Sequence, residues 1–284
     1  MLIHLPHFLC SFFIVGAVAF AVFGDVLGWL LTAGWVLSGG LVFHRPTERR
    51  FAHRLLKLRP PTAEEFSYLA PIWIEICKRA QVDHTVYELW IEESGEINAV
   101  AAAGHIVGVT RHSVTTLPPG QLAAVLAHEL GHHVGGHPWA GLMGTWYALP
   151  TRVTWFLLRL LTAAVFWIAR KTFCLGGFAV LFAMLVTFAA AVLTMPFVFV
   201  PMLLSPYILA AVSRRAELRA DEKAAQLGFA PTLVEVLRQA DLAERAARGS
   251  APRGRQGLIE RLLRSHPSAE VRIERLRRSV GPAG

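Results

Sequence analysis

Residues 8–43 read FLCSFFIVGAVAFAVFGDVLGWLLTAGWVLSGGLVF, with Asp25 as the sole charge. A bilayer core about 30 Å thick takes about 20 helical residues to cross. The apolar run breaks at Gly24-Asp25, so the stretch predicts two spans, Leu2–Phe23 and Val26–Phe43, in a tight hairpin. A cleaved signal followed by one anchor fits poorly, because no Lys or Arg precedes the first apolar segment.

The rest of the chain carries the same bias. Of 284 residues, 54% are hydrophobic and 17% charged, with a mean hydropathy of +0.45. An ordinary globular chain carries about a quarter charged residues. None of the 28 Lys+Arg falls within residues 1–43, and only Arg152, Arg159, Arg170 and Lys171 lie between Gly120 and Val212. Disordered, collagen-like and disulfide-stapled chains are excluded. Cys10, Cys77 and Cys174 are odd in number, widely spaced and form no CxxC pair, so no disulfide framework or thiolate metal knuckle is read.

A second hairpin is expected at Val153–Ala169 and about Gly177–Val200, with Pro196, Pro201 and Pro206 kinking or interrupting the helix at its exit. The basic residues set the orientation. Arg45, Arg49, Arg50, Arg54, Lys57 and Arg59 follow the second span, and residues 213–284 hold 15 Lys+Arg against 9 Asp+Glu. Four crossings place both segments on the cytoplasmic side of the plasma membrane. The basic runs read as anchors beside anionic headgroups. No motif that reads nucleic acid accompanies them. The organisation expected is a hairpin at 1–43, a cytoplasmic segment at 44–140, a second hairpin at 141–212 and a cytoplasmic C-terminal segment at 213–284.

Within 44–140, Thr62-Ala63-Glu64-Glu65 is a capping box opening a helix to about Ala80. Val86–Glu92 alternates as a strand, and turns at Ser94-Gly95 and Gly104 lead into Ile97–Ala102 and Ile106–Thr110, together a small antiparallel sheet. Pro118-Pro119 starts another helix and Gly135-Gly136 stops it. That helix carries His128-Glu129-Leu130-Gly131-His132. Residues four apart share a helical face, so two imidazoles can grip one zinc ion with Glu129 beside it. The polar triplet interrupts the apolar run Leu122–Leu130, and burying it without a partner is costly.

A catalytic zinc needs a third protein ligand. His137 is near, but the long motif with a third histidine requires it at position 138, which is Pro138. Glu217 and Asp221 share a helical face, so one can bind metal while the other orients a ligand from behind. The pattern favours Glu217. His132 and Glu217 can meet only if the intervening chain crosses the bilayer an even number of times, and two spans do so.

These pieces resemble the HtpX-type and CaaX-prenyl-protease superfamily of integral membrane metallopeptidases, closest in layout to HtpX. The resemblance rests on the N-terminal hairpin, Asn98-Ala99, Val125 to His132, Ser213-Arg214 through Glu217 to Ala220-Asp221, Ser265-His266-Pro267 and Arg272-Ile273. Leu218 and Val100 stand where the family usually has aromatic residues. The resemblance implies a mostly α membrane protein with four spans and a cytoplasmic zincin-like α+β catalytic domain. It implies one zinc per subunit held by His128, His132 and Glu217, with Glu129 as general base. Asn98 and Ala99 would bind an extended substrate at a sheet edge, and His266 would polarise the scissile carbonyl or stabilise its oxyanion. Asp221 and Arg214 would support the ligands, Arg272 would pair with Asp221 or backbone, and His105, His112 and His133 would be surface or supporting residues.

The implied activity is a membrane-bound zinc metalloendopeptidase acting at the cytoplasmic face on damaged or misassembled membrane proteins, a stress-response role. Two alternatives stand beside it: a regulatory protease cleaving one repressor or signalling partner, and a non-enzymatic membrane scaffold with a degenerate site. Partners are protein or peptide substrates and the lipid bilayer; the sequence does not give an oligomeric state.

Overall fold

The computed structural model describes residues 5–95, 99–102, 104–135, 137–172, 182–183, 186, 196–247 and 267–279. The chain divides into two compact units, Met1–Gly39 with Met143–Leu209 and Gly40–Leu142 with Ala210–Gly284.

In the first unit, helix α1 (Leu5–Ser38) doubles back at Gly24, where φ is 73° and ψ −175°. Only glycine adopts that backbone readily. The two arms run antiparallel about this point. Phe20 and Trp29 meet edge to face at 5.2 Å, and a Cβ on Gly28 would lie 2.7 Å from the Phe20 ring. The break read at Gly24-Asp25 is therefore a true reversal. The arm ends are held by aromatic side chains of α6 (His137–Thr172): Tyr147 donates to the Val36 carbonyl at 2.7 Å and Trp146 to Ser38 Oγ at 3.1 Å. Two stretches among the described residues are long and apolar enough to cross a membrane, Phe8–Leu41 and Leu142–Trp167. The first contains both arms of the hairpin. The expected span at 177–200 falls mostly outside the described residues. At its exit the prolines do not interrupt the helix, since α7 (Pro196–Gln226) runs on through Pro201 and Pro206.

The second unit is a four-stranded sheet covered by helices. Its strands are β1 (Leu58–Arg59), β2 (Glu88–Glu92), β3 (Ala99–Ala102) and β4 (Ile106–Thr110), in the order β1-β2-β4-β3. The sheet is mixed rather than antiparallel, because β2 and β4 pair in parallel, Glu88 opposite Ile106 and Glu92 opposite Thr110. The Gly104 turn pairs β3 with β4 as read from the sequence, but β4 then lies between β2 and β3. All five residues of β4 are buried, and an interior position satisfies such a strand better than an edge. A Cβ on Gly108 would lie 2.9 Å from Val100 and 3.2 Å from Leu58, so glycine there lets side chains from both flanks meet across the strand.

The alternation of the strands sorts two cores. Leu89, Ile91, Val107 and Val109 face helices α3 (Ala63–Ala80), α5 (Pro119–Val134), α8 (Ala230–Ala247) and α9 (Ala269–Ser279), packing with Trp73, Leu126, Leu233 and Leu276. Trp90, Ile106 and Leu58 face Ala52 of α2 (Arg45–Leu55). The expected capping box opens α3: Thr62 Oγ1 accepts from the Glu65 amide, and Glu65 accepts from the Thr62 amide at 2.8 Å. Glu65 also binds Arg59 of β1 through two bonds, at 2.7 and 2.8 Å. The Arg59 guanidinium holds the Glu65 carboxyl down from 4.5 to about 2. Its stabilisation is complete above the ordinary value of 4.5 and is lost as pH falls through about 2. We expect Glu65→Ala to destabilise the protein by about 1–2 kcal/mol, read as a lower midpoint of thermal unfolding at neutral pH.

Candidate metal centre

Helix α5 is bounded as its punctuation dictates, with Pro118-Pro119 at the start and Gly135 at the C-cap. His128 and His132 lie one turn apart, and their rings meet edge to face at 4.9 Å. Helix α7 crosses α5 at Gly131, where an added Cβ would lie 2.9 Å from both Cα and O of Ala220. This close approach brings Glu217, one turn before Asp221, over the histidines. Glu217 Oε2 is 3.5 Å from His128 Nε2, and Oε1 is 3.5 Å from His132 Nε2. One atom from each of the three side chains falls within 4.8 Å of the others, so the group can hold a metal ion.

Asp221 stands behind the donors. Its Oδ1 is 2.9 Å from His128 Nδ1, and Arg272 of α9 binds its carboxylate twice, at 2.8 and 2.7 Å. Arg272 Nη1 also lies 3.4 Å from Glu217 Oε2. Glu129, Glu217 and Asp221 are 7% exposed or less. Three buried carboxylates against one guanidinium leave two negative charges when the imidazoles are neutral, and a divalent cation balances them. This charge count and the nitrogen-oxygen donor set fit zinc. Without a cation the same field draws protons. Burial opposes charging His128, but Asp221 and Glu217 outweigh it and push its pKa up to about 9. Burial likewise opposes ionising Asp221, and Arg272 and His128 overcome it, holding the carboxyl below its ordinary value. The charge of Glu129 also favours protonated His128 and Arg272, as its place beside them requires.

The structure thus brings together His128, Glu129, His132, Glu217, Asp221 and Arg272. Ala99 begins β3, an edge strand of the sheet. Arg214 is half-buried on α7, one turn before Glu217. Asn98 and His266 lie outside the described residues. His137 is the first residue of α6. His105 is half-buried, 3.2 Å from Glu48.

His133 has a larger part than its sequence suggested. It is buried on the opposite side of α5, with Nδ1 3.1 Å from the Gly104 carbonyl oxygen and Nε2 3.1 Å from that of Ile106. Burial pushes its pKa down to about 4, against the pull of both carbonyls. This histidine ties α5 to the β3–β4 turn. The signal was available, because the residue after His132 is rotated about 100° round the helix and so faces away from the other two rings.

The Gly131 crossing is directly testable. Gly131→Ala must move α7 outward by some tenths of an ångström, which carries Glu217 away from the histidines. We expect zinc affinity to fall about tenfold and stability by about 1–3 kcal/mol, measured by metal titration and thermal melting.

No curated protein matches the chain. A solved structure, the crystal structure of S. mikatae Ste24p, is similar over 95% of this chain and 80% of that one, with 15% identity and a TM-score of 0.36. Residues 63–280, more than half of the sequence and including every side chain of the cluster above, match peptidase family M48, and the chain belongs to that family.

Proposed function

We propose that the protein is a membrane-embedded zinc metalloendopeptidase that cleaves peptide bonds at the cytoplasmic face, with damaged or misassembled membrane proteins as substrates. The observation that carries this reading is the convergence of His128 and His132 with Glu217, from segments far apart in sequence, beside a buried Glu129. A purely structural ion has no use for that additional carboxylate.

His128, His132 and Glu217 would hold the zinc. When bound, zinc supplies Lewis acidity, drawing electron density from the carbonyl to be cleaved and making water a stronger acid. Glu129 takes the proton from the attacking water on a carboxylate oxygen and delivers it to the departing amine. Asp221, fixed by Arg272, keeps His128 in one orientation, with Nδ1 engaged and Nε2 turned towards Glu217. Ala99, with Asn98 before it, offers an edge strand to an extended peptide. His266 would polarise the scissile carbonyl from the C-terminal segment. The two apolar stretches support the membrane reading, and the flanking Lys and Arg support a cytoplasmic site.

The test is elemental analysis of the detergent-purified full chain together with an unfolded-protein cleavage assay. One zinc per chain is expected, with cleavage abolished by a chelator and restored by zinc. Cleavage indifferent to chelation would overturn the assignment.

A further inference from the structure

Helix α2 has two unlike faces. Its inner face is fixed to the catalytic unit: Glu48 is 2% exposed and accepts from the Gly104 amide at 3.3 Å, Ala52 is fully buried, and Arg49 binds Glu88 at 2.7 Å. Its outer face is different. Arg50 and Arg54, one turn apart, and Lys57 just beyond the helix are exposed, and none has an ion-pair partner among the described residues. Lys57 holds φ at 55°, a backbone that favours glycine, yet a lysine stands there.

The position of α2 along the chain indicates what this stripe meets. The apolar hairpin ends in an aromatic cluster: the Trp35 and Tyr147 rings lie 5.3 Å apart, and Trp146 bonds to Ser38. Trp and Tyr gather at the level of lipid headgroups. From there a five-residue 3-10 helix, Gly39–Phe43, leads into α2, and such a helix is only about 10 Å long. A cationic stripe so close along the chain to the headgroup level is complementary to anionic phosphodiesters.

We propose that Arg50, Arg54 and Lys57 form a docking surface for anionic phospholipid headgroups, which holds the catalytic unit against the membrane. This rests on the membrane reading above. The full-length chain in detergent, wild type or Arg50→Gln/Arg54→Gln/Lys57→Gln, is titrated with phosphatidylglycerol, phosphatidylcholine, inorganic phosphate or an oligoglutamate peptide. Bound adducts are read by native mass spectrometry. Each cation contributes about fivefold at an anionic surface, so wild type should bind phosphatidylglycerol on the order of a hundredfold more tightly than the triple variant. Phosphatidylcholine and phosphate should not distinguish the two. Lys57→Gly, which suits the backbone, should keep the fold and lose about fivefold. Zinc content and unfolding temperature without lipid check that each variant is folded. Equal phosphatidylglycerol binding by wild type and a folded variant overturns the proposal, as does phosphate bound as tightly as the lipid or oligoglutamate displacing it. A chain that stays in solution without detergent instead refutes the membrane reading itself.

Discussion

Glu129→Gln is expected to lower peptide cleavage by about 10²–10⁴-fold while leaving one zinc per chain. The amide matches the carboxylate in size, so the buried space beside His128 stays filled and the three donors are untouched. What is lost is a base: a neutral amide cannot take the proton released as water attacks, nor return one to the departing amine. The variant also leaves one buried negative charge where the wild type has two, so zinc should be held somewhat less tightly but still stoichiometrically. Metal content and turnover of an unfolded substrate, measured on the same preparation, separate the two properties. Undiminished turnover would remove Glu129 from the chemistry. Proteomics of the membrane fraction would extend the test, since many stabilised proteins indicate broad quality control and a single one indicates a dedicated target.

Glu217→Ala should abolish stoichiometric zinc, with affinity falling on the order of a hundredfold or more. The variant deletes the oxygen donor that bridges two imidazoles at 3.5 Å each. It also removes the carboxylate that Arg272 Nη1 faces at 3.4 Å, leaving that guanidinium to Asp221 alone. His137→Ala should retain the metal, which distinguishes the two ligands weighed from the sequence. The reverse pattern, with zinc kept in Glu217→Ala and lost in His137→Ala, would reassign the centre.

Features governed by near neighbours in sequence could be read before the structure. Prolines and glycines delimit α5, the capping box opens α3, and the spacing of Glu217 and Asp221 puts them on one face, because each depends on a few consecutive residues. The sheet order could not be read this way. Ser94-Gly95 is a plausible hairpin turn, but β4 competes for the interior position, and burial decides that competition across the whole domain. Whether Pro201 and Pro206 interrupt α7 or leave it continuous could not be read this way either, since local propensity disfavours proline within a helix. At the centre, the pairing of His128 and His132 and the choice of Glu217 to meet them followed from pattern. The part of Arg272 came only through resemblance, because an arginine on a distant helix carries no local mark of the carboxylate it will meet.

The reversal at Gly24 bears on how the chain enters the membrane during synthesis. On the proposed topology its tip is the portion that must travel through hydrocarbon, and the only ionisable group there is Asp25. Carrying one lone charge through hydrocarbon costs far less than carrying the six cations that follow between Arg45 and Arg59. The two arms can therefore be delivered together as a single loop, with both ends of the loop never leaving the side on which the ribosome works.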